Sequence, residues 1–242
     1  ITGASFNYLT APQNVTLNFD TNVQADLSLD DLVVDRLSNN TTLARTNQSL
    51  AYNTSTNVAT VTFPGEANQG ITGMLPDGNF QTIVSEEGIP GMTSEHLLNF
   101  FFLTADVNRD RAVSSADEAI VTANFGTSGN FAAGDVNLDG VINLDDYTTL
   151  SNNFGRQQPA PITTANTLTV AALSSSANQL TWTKPDAAVD GYRIYRSTDG
   201  TNFTQIADVA TTPRSYDDTG LTDGTKYWYR VRPYTVAEGN SA

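Results

Sequence analysis

Short alternations of apolar and polar residues open the chain. Phe6 and Tyr8 alternate with polar neighbours, and Val15, Leu17 and Phe19 repeat the pattern between Asn14 and Asp20. A period of two sends apolar side chains to one face, as in a half-buried strand. Similar runs predict strands over residues 31–37, 43–52, 58–63, 80–85 and 97–103. Asn39-Asn40, residues 53–57, Pro64-Gly65 and Asp77-Gly78 supply turns between them. Strands this short at this spacing predict a β-sandwich over residues 1–104. The alternation stops at residue 105 and returns after 162, in Leu180-Thr181-Trp182 and in residues 192–195, 203–206 and 227–231. Between them lie two helix-like stretches, closed by Asn124-Phe125-Gly126 and Asn153-Phe154-Gly155. Glycine just past a helix is a usual stop. Residues 156–161, with Pro159 and Pro161, read as a stiff linker.

The middle segment, 105–155, is an internal repeat. Asp106-Val107-Asn108-Arg109-Asp110 recurs as Asp135-Val136-Asn137-Leu138-Asp139, offset by 29 residues. A hard cation such as Ca²⁺ takes six to eight oxygens arranged around a tight loop. Counting from the first Asp, residues 106–117 offer Asp106, Asn108 and Asp110 at positions 1, 3 and 5, and the Ala112 carbonyl at 7. Ser114 follows at 9 and Asp117, as a two-oxygen ligand, at 12. Residues 135–146 offer Asp135, Asn137, Asp139, the Val141 carbonyl, Asn143 and Asp146 at the same places. Val113 and Ile142, at position 8, are expected to pair in a short β-contact or to pack inward. Position 6 favours glycine for its sharp turn. Gly140 meets that demand and Arg111 does not, which predicts a weaker or more strained first site. Turns rich in Asp and Asn also form without metal. Residues 105–155 hold eight acids against two Arg, so a cation would relieve the crowding. Ile120, Phe125, Tyr147, Leu150 and Phe154 are the expected core of this segment.

The net charge of −14 argues against nucleic acid and anionic membrane surfaces as partners. There is no Cys, and His96 is the single His, which removes thiolate chemistry and nearly every His-based triad. No apolar run approaches the ~20 residues of a membrane span. The chain begins at Ile1 without a leader pattern, as expected of a processed product or a piece of something longer. The acidic pairs Glu86-Glu87 and Asp217-Asp218 read as surface residues, since neighbours on a strand point to opposite faces. Trp182 reads as core, whereas Trp228 and Tyr195 read as an aromatic sheet face. No catalytic residue or organic cofactor site is expected.

Three resemblances follow. Leu75-Pro76-Asp77-Gly78-Asn79-Phe80 is similar to the corner of bacterial Ig-like domains, with Phe80 in the aromatic place. The duplicated loops with Asp at position 12, and the Asn-Phe-Gly endings, resemble type I dockerins. Trp182, with Leu221, Gly224 and Tyr227 as a tyrosine corner, resembles a fibronectin type III domain over 162–242. There the chain stops near the loop before the last strand, so that strand is expected to be missing. The implied fold is mainly β and multidomain: an Ig-like sandwich, a small helical dockerin-like calcium module and a fibronectin type III sandwich. Similar three-part tails end large secreted bacterial proteins of planctomycete-like type. They imply a non-catalytic, secreted or cell-surface structural, adhesion or assembly role, with two Ca²⁺ rigidifying the centre. The alternative is a dockerin that anchors a carbohydrate-active enzyme to a cohesin-bearing scaffold. Dockerins often carry a Ser/Thr pair at loop positions 10 and 11, where this chain has Ser115-Ala116 and Leu144-Asp145. The implied partner is a cohesin-like module or a neighbouring copy joined by strand donation; polysaccharide enters through a parent protein.

Overall fold

The structure is a computed structural model. It describes residues 1–37, 41–86, 89–160, 167–183, 189–200 and 202–234. They are mainly β and fall into two compact units, Ile1–Ala160 and Pro161–Ala242.

The first unit opens with β1 (Gly3–Asn7), β2 (Asn14–Asn18), β3 (Leu32–Arg36), β4 (Thr41–Thr42), β5 (Ser49–Asn53) and β6 (Val58–Thr62). A short hairpin of β7 (Ala67–Asn68) and β8 (Ile71–Thr72) precedes β9 (Gly78–Val84) and β10 (His96–Phe102). Two helices follow, α1 (Ser115–Ala123) and α2 (Leu144–Asn153). The strands make two antiparallel sheets in the orders β1-β2-β6-β5 and β10-β9-β3-β4. In the first sheet Phe6, Val15, Val61 and Leu50 stand in register, and so do Ala4, Leu17, Ala59 and Tyr52. In the second, Val34 lies beside Thr82 and Leu32 beside Val84, while Phe100 faces Phe80. These inward residues close on one core, and the period-two reading of the sequence holds on this face.

The same core runs on into the helical segment. Val107, Val113, Val121, Phe131, Val136, Ile142 and Leu150 belong to it. Phe131, between the two helices, packs on Phe102 at 5.3 Å and edge-on to Tyr8 at 6.0 Å. The 104/105 border expected from the sequence therefore lies inside one compact unit. Leu150 is buried and Ile120 is partly so, but Phe125 and Phe154 are each 52% exposed and Tyr147 is 37% exposed. Their expected core role is corrected: the sandwich supplies Phe102 and Tyr8 against Phe131 instead, and the helix-end rings turn to solvent. Of residues 156–161, read as a spacer, 156–160 are seated in this unit; Gln158 is buried and Arg156 ion-pairs with Asp77 at 2.6 Å.

The second unit holds β11 (Leu168–Ser174), β12 (Ala177–Trp182), β13 (Gly191–Ser197), β14 (Thr204–Ala210), β15 (Ser215–Thr219) and β16 (Trp228–Tyr234). Its sheets run β11-β12-β15 and β14-β13-β16. Leu180, Trp182, Tyr192 and Ile194 are its core, with the Trp182 and Tyr192 rings 5.3 Å apart and edge to face. Tyr227 Oη accepts the Thr222 N–H at 3.0 Å, the backward bond of a tyrosine corner. Asp218 corrects the surface reading of its pair. It is 3% exposed, takes Arg196 at 2.9 Å and accepts from Tyr229 Oη at 2.8 Å, whereas Asp217 is exposed and accepts from Gln179. The expected place of a missing last strand lies after Tyr234, outside the described residues, as does Glu87 of the other acidic pair.

Candidate metal centre

Each loop curls around its acids. Asp106, Asp110 and Asp117 bring carboxylate oxygens within 4.8 Å of one another, and Asp135, Asp139 and Asp146 do the same. Position 1 ties the turn: Asp106 accepts the Asp110 and Arg111 N–H groups at 3.0 and 2.9 Å, and Asp135 accepts those of Asp139 and Gly140 at 3.0 and 2.9 Å. Position 12 reaches back. Asp117 Oδ1 accepts the Val107 N–H at 2.9 Å, and Asp146 Oδ1 accepts the Asn137 N–H at 3.1 Å. At position 3, the Asn108 and Asn137 amides donate to Asp110 and Asp139 at 2.9 and 3.0 Å.

Position 9 has a second task. Ser114 and Asn143 are the N-caps of α1 and α2, and with Asp117 and Asp146 three residues on they form capping boxes. Thus the residue that closes the ring also starts the helix. The position-7 residues sit in β-bridges, Ala112 with Gln157 and Val141 with Ser128. Val113 and Ile142 are buried, and each pairs with the exit of the other repeat's helix rather than with its counterpart. Gly155 N–H donates to the Val113 carbonyl at 2.8 Å, and Gly126 N–H donates to that of Ile142 at 2.7 Å. Both glycines have φ near +84°, at 85° and 83°, which is why each Asn-Phe-Gly ends in glycine.

The loops share left-handed positions as well. Ala105, Arg109 and Arg111 have φ of 71°, 64° and 74°, against 114°, 61° and 90° for Gly134, Leu138 and Gly140. The first loop puts a side chain at all three, and the second at only one. Such residues cost on the order of 1–3 kcal/mol each unless the surroundings hold them. Here they are held by arginines that turn away from the acids. The Arg109 guanidinium lies 3.9 Å from the Phe101 ring and 4.2 Å from that of Tyr8, and donates to the Phe101 carbonyl at 2.8 Å. Arg111 also covers Phe101 at 3.9 Å and donates to Asn79 Oδ1 at 2.8 Å and the Gln158 carbonyl at 3.1 Å.

Sequence reasoning missed a polar hub beneath this contact. Asp77 is buried; its Oδ1 accepts from the Thr104 N–H at 2.8 Å, Thr104 Oγ1 at 2.7 Å and Asn68 Nδ2 at 3.0 Å, while Oδ2 takes Arg156. Arg36 donates to its carbonyl. Arg156 also donates to Asn153 Oδ1 at 2.6 Å, joining the end of α2 to the sandwich. The turn residue Asp77 gave no hint of an ion pair with Arg156 far along the chain.

The electrostatics suit a cation. Asp106, Asp117 and Asp146 are fully buried and Asp135 nearly so. Among the described residues, none of the six loop carboxylates is ion-paired to Lys or Arg. Burial pushes Asp106 up to about 6, helped by the negative charges of Asp117 and Asp110 against the pull of its backbone N–H bonds. Burial also raises Asp135, with Asp146 and Asp139 adding to it. Hard carboxylate and amide oxygens crowded in one ring fit Ca²⁺ and do not fit a soft metal.

Residues 160–242 match the family model of the fibronectin type III domain. The second unit is a fibronectin type III domain. A fibronectin type III-like protein from Clostridium thermocellum is 35% identical over 28% of this chain and 73% of its own, with a TM-score of 0.25. The fibronectin type III domain of human collagen alpha-1(XX) is 19% identical over 31% and 73%, with a TM-score of 0.28. A pectate lyase from Erwinia chrysanthemi is 26% identical over 30% of this chain but only 24% of its own length, with a TM-score of 0.28. No curated protein matches the chain. No helix among the described residues is long and apolar enough to cross a membrane.

Proposed function

We propose that the chain is a non-catalytic, extracellular structural or adhesion segment that binds two Ca²⁺ ions, in an Ig-like sandwich fused to a dockerin-like module. Asp106, Asn108, Asp110, the Ala112 carbonyl, Ser114 and Asp117 would hold one ion. Asp135, Asn137, Asp139, the Val141 carbonyl, Asn143 and Asp146 would hold the other. The supporting observation is the pair of carboxylate clusters, each with two buried acids and one exposed acid within 4.8 Å of one another, none of them ion-paired to Lys or Arg among the described residues. When bound, the ion supplies two positive charges that remove the repulsion. The loop residues orient the oxygens and start both helices, and Arg109 and Arg111 pass the rigidity of the first loop to the sandwich.

The test is thermal unfolding of chelator-stripped protein with calcium added back. Calcium at ~1,000-fold over its dissociation constant contributes about 4 kcal/mol, a rise of roughly 8–16 °C for a unit of this size. An unchanged melting temperature would overturn the calcium reading.

Exposed Phe125, Phe154 and Leu144, the last 65% exposed, favour docking as a second reading. Calcium-dependent capture by a panel of cohesin modules would establish it. Absence of capture by calcium-loaded protein would leave the purely structural role.

A further inference from the structure

We propose that the outward face of the sheet β14-β13-β16 binds an anionic polysaccharide. The face belongs to the second unit, so this inference stands or falls independently of calcium. Charge is divided unevenly along the chain. Residues 1–160 carry eighteen acids against five Arg, net −13, and residues 161–242 carry eight acids against seven Lys and Arg, net −1. Four of those seven cations stack on rings of one face. Along β16, Tyr229 and Val231 pack on the core, which sends Trp228, Arg230, Arg232 and Tyr234 outward. On β13, Arg193 and Tyr195 stand in register with Arg232 and Arg230 and share their side.

The stacks are close. Arg230 lies 3.7 Å from the Phe203 ring centre, Lys226 4.2 Å from Trp228, Arg193 4.3 Å from Tyr234 and Arg232 5.5 Å from Tyr195. Gly200 gives the Trp228 ring its seat: a Cβ there would come within 3.2 Å of the indole. Asp208, 3.9 Å from Arg193, and Asp190, whose charge reaches Tyr234, are carboxylates set among them.

A guanidinium held against a ring keeps its fork pre-organised and loses less freedom when it meets a carboxylate or sulfate. Alternate strand positions are about 6.6 Å apart and neighbouring strands about 4.8 Å apart. Cations on such a flat grid suit an extended chain with repeating anionic groups more than one compact anion. Ring edges between the cations offer apolar contact to sugar C–H groups. A second copy of this chain would bring its own charge of −14 to the contact, which disfavours it beside a slender glycan that approaches this face alone.

The experiment uses the full chain, calcium-loaded, with dextran sulfate and uncharged dextran of equal length as probes. Dextran sulfate should bind, with affinity falling steeply as salt rises, and dextran should not. The double variant R230Q/R232Q should bind about tenfold more weakly, and R214Q, at an exposed arginine outside these stacks, should match the parent. Should R230Q/R232Q melt early, K226Q at an exposed site supplies the same test with a smaller loss. R230K/R232K keeps the charge without the planar fork and should fall between parent and R230Q/R232Q. Equal binding of the two dextrans, or full retention in folded R230Q/R232Q and K226Q, would overturn the proposal. Tighter binding of single-stranded DNA than of dextran sulfate would reassign the face to nucleic acid. Salt-sensitive self-association abolished by R230Q/R232Q would reassign it to a second copy.

Discussion

The two loops have nearly the same backbone and very different neighbours. Both use an Asp at position 1 to hold the turn, and both use positions 9 and 12 as the capping box of a helix. The second loop satisfies two of its three left-handed positions with glycine. The first fills all three with side chains and aims two of them, Arg109 and Arg111, at the sandwich. The loops' strand partners differ in the same way. The second pairs with residues 126–128, which are exposed, whereas the first pairs with 155–157, which Arg156 anchors to Asp77. The two repeats share one loop design: the first carries side chains at its left-handed positions and is attached to the sandwich through them, while the second relaxes two of the three with glycine.

Removing the anchor should have the largest effect. R156A removes the ion-pair partner of buried Asp77, leaving Arg36 as its remaining nearby cation, and should cost about 3 kcal/mol, read as a drop of roughly 6–12 °C in the melting of the first unit. T127A, beside the other loop, should change melting little. Next comes R109A, which loses two close ring contacts and a charged hydrogen bond, at about 2–3 kcal/mol. A smaller effect than R156A and R109A predict would mean that the first loop is no better fastened than the second.

Exchanging position 6 sharpens the contrast. G140R puts a side chain at φ 90° without a partner to hold it, and should cost about 1 kcal/mol. R111G relieves the same strain but gives up the bonds to Asn79 and Gln158, so its net change should be near zero, or at most ~1 kcal/mol destabilising. A clear gain in stability from R111G would show that the arginine contacts are worth less than the strain.

Acidity should distinguish metal-free from loaded protein. The folded-state pKa of Asp106 is raised from 3.8 to about 6, so protonation favours the folded state. Metal-free protein should therefore be most stable below about pH 4 on account of this group, and lose that contribution as pH rises through about 6. Protons compete with calcium over the same range, so affinity at the first loop should fall as pH drops below about 6. Melting curves between pH 4 and 8, with and without calcium, should converge at the acid end. A constant gap would remove Asp106 from the ligand set.

The clustering of the acids was legible from their spacing: counting along the repeat placed Asp106, Asp110 and Asp117 together, and Asp135, Asp139 and Asp146 likewise. Trp182 and Tyr227 were legible for the same reason, being local marks of their sandwich. The seating of the first loop was not, since it rests on pairs far apart in the chain: Arg109 on Phe101 and Tyr8, and Arg156 on Asp77. One signal was present. An arginine where glycine is preferred says that its side chain has a task, and Arg111 was read only as strain. Phe125 and Phe154 misled because a helix-end aromatic fits either the core or the surface until its neighbours are known. Asp218 misled because the partner that buries it, Arg196, lies on another strand.

The most direct measurement is a calorimetric titration of calcium into the chelator-stripped chain, beside D110A and D139A. Both substitutions remove the exposed carboxylate of a cluster and spare the buried acids that shape the loops. The parent should show two binding events of unequal strength. D110A should lose the weaker event along with much of the calcium-dependent rise in melting of the first unit, and D139A should lose the stronger one with a smaller effect on melting. No binding heat, or two equal events whose loss changes melting alike, would contradict the account.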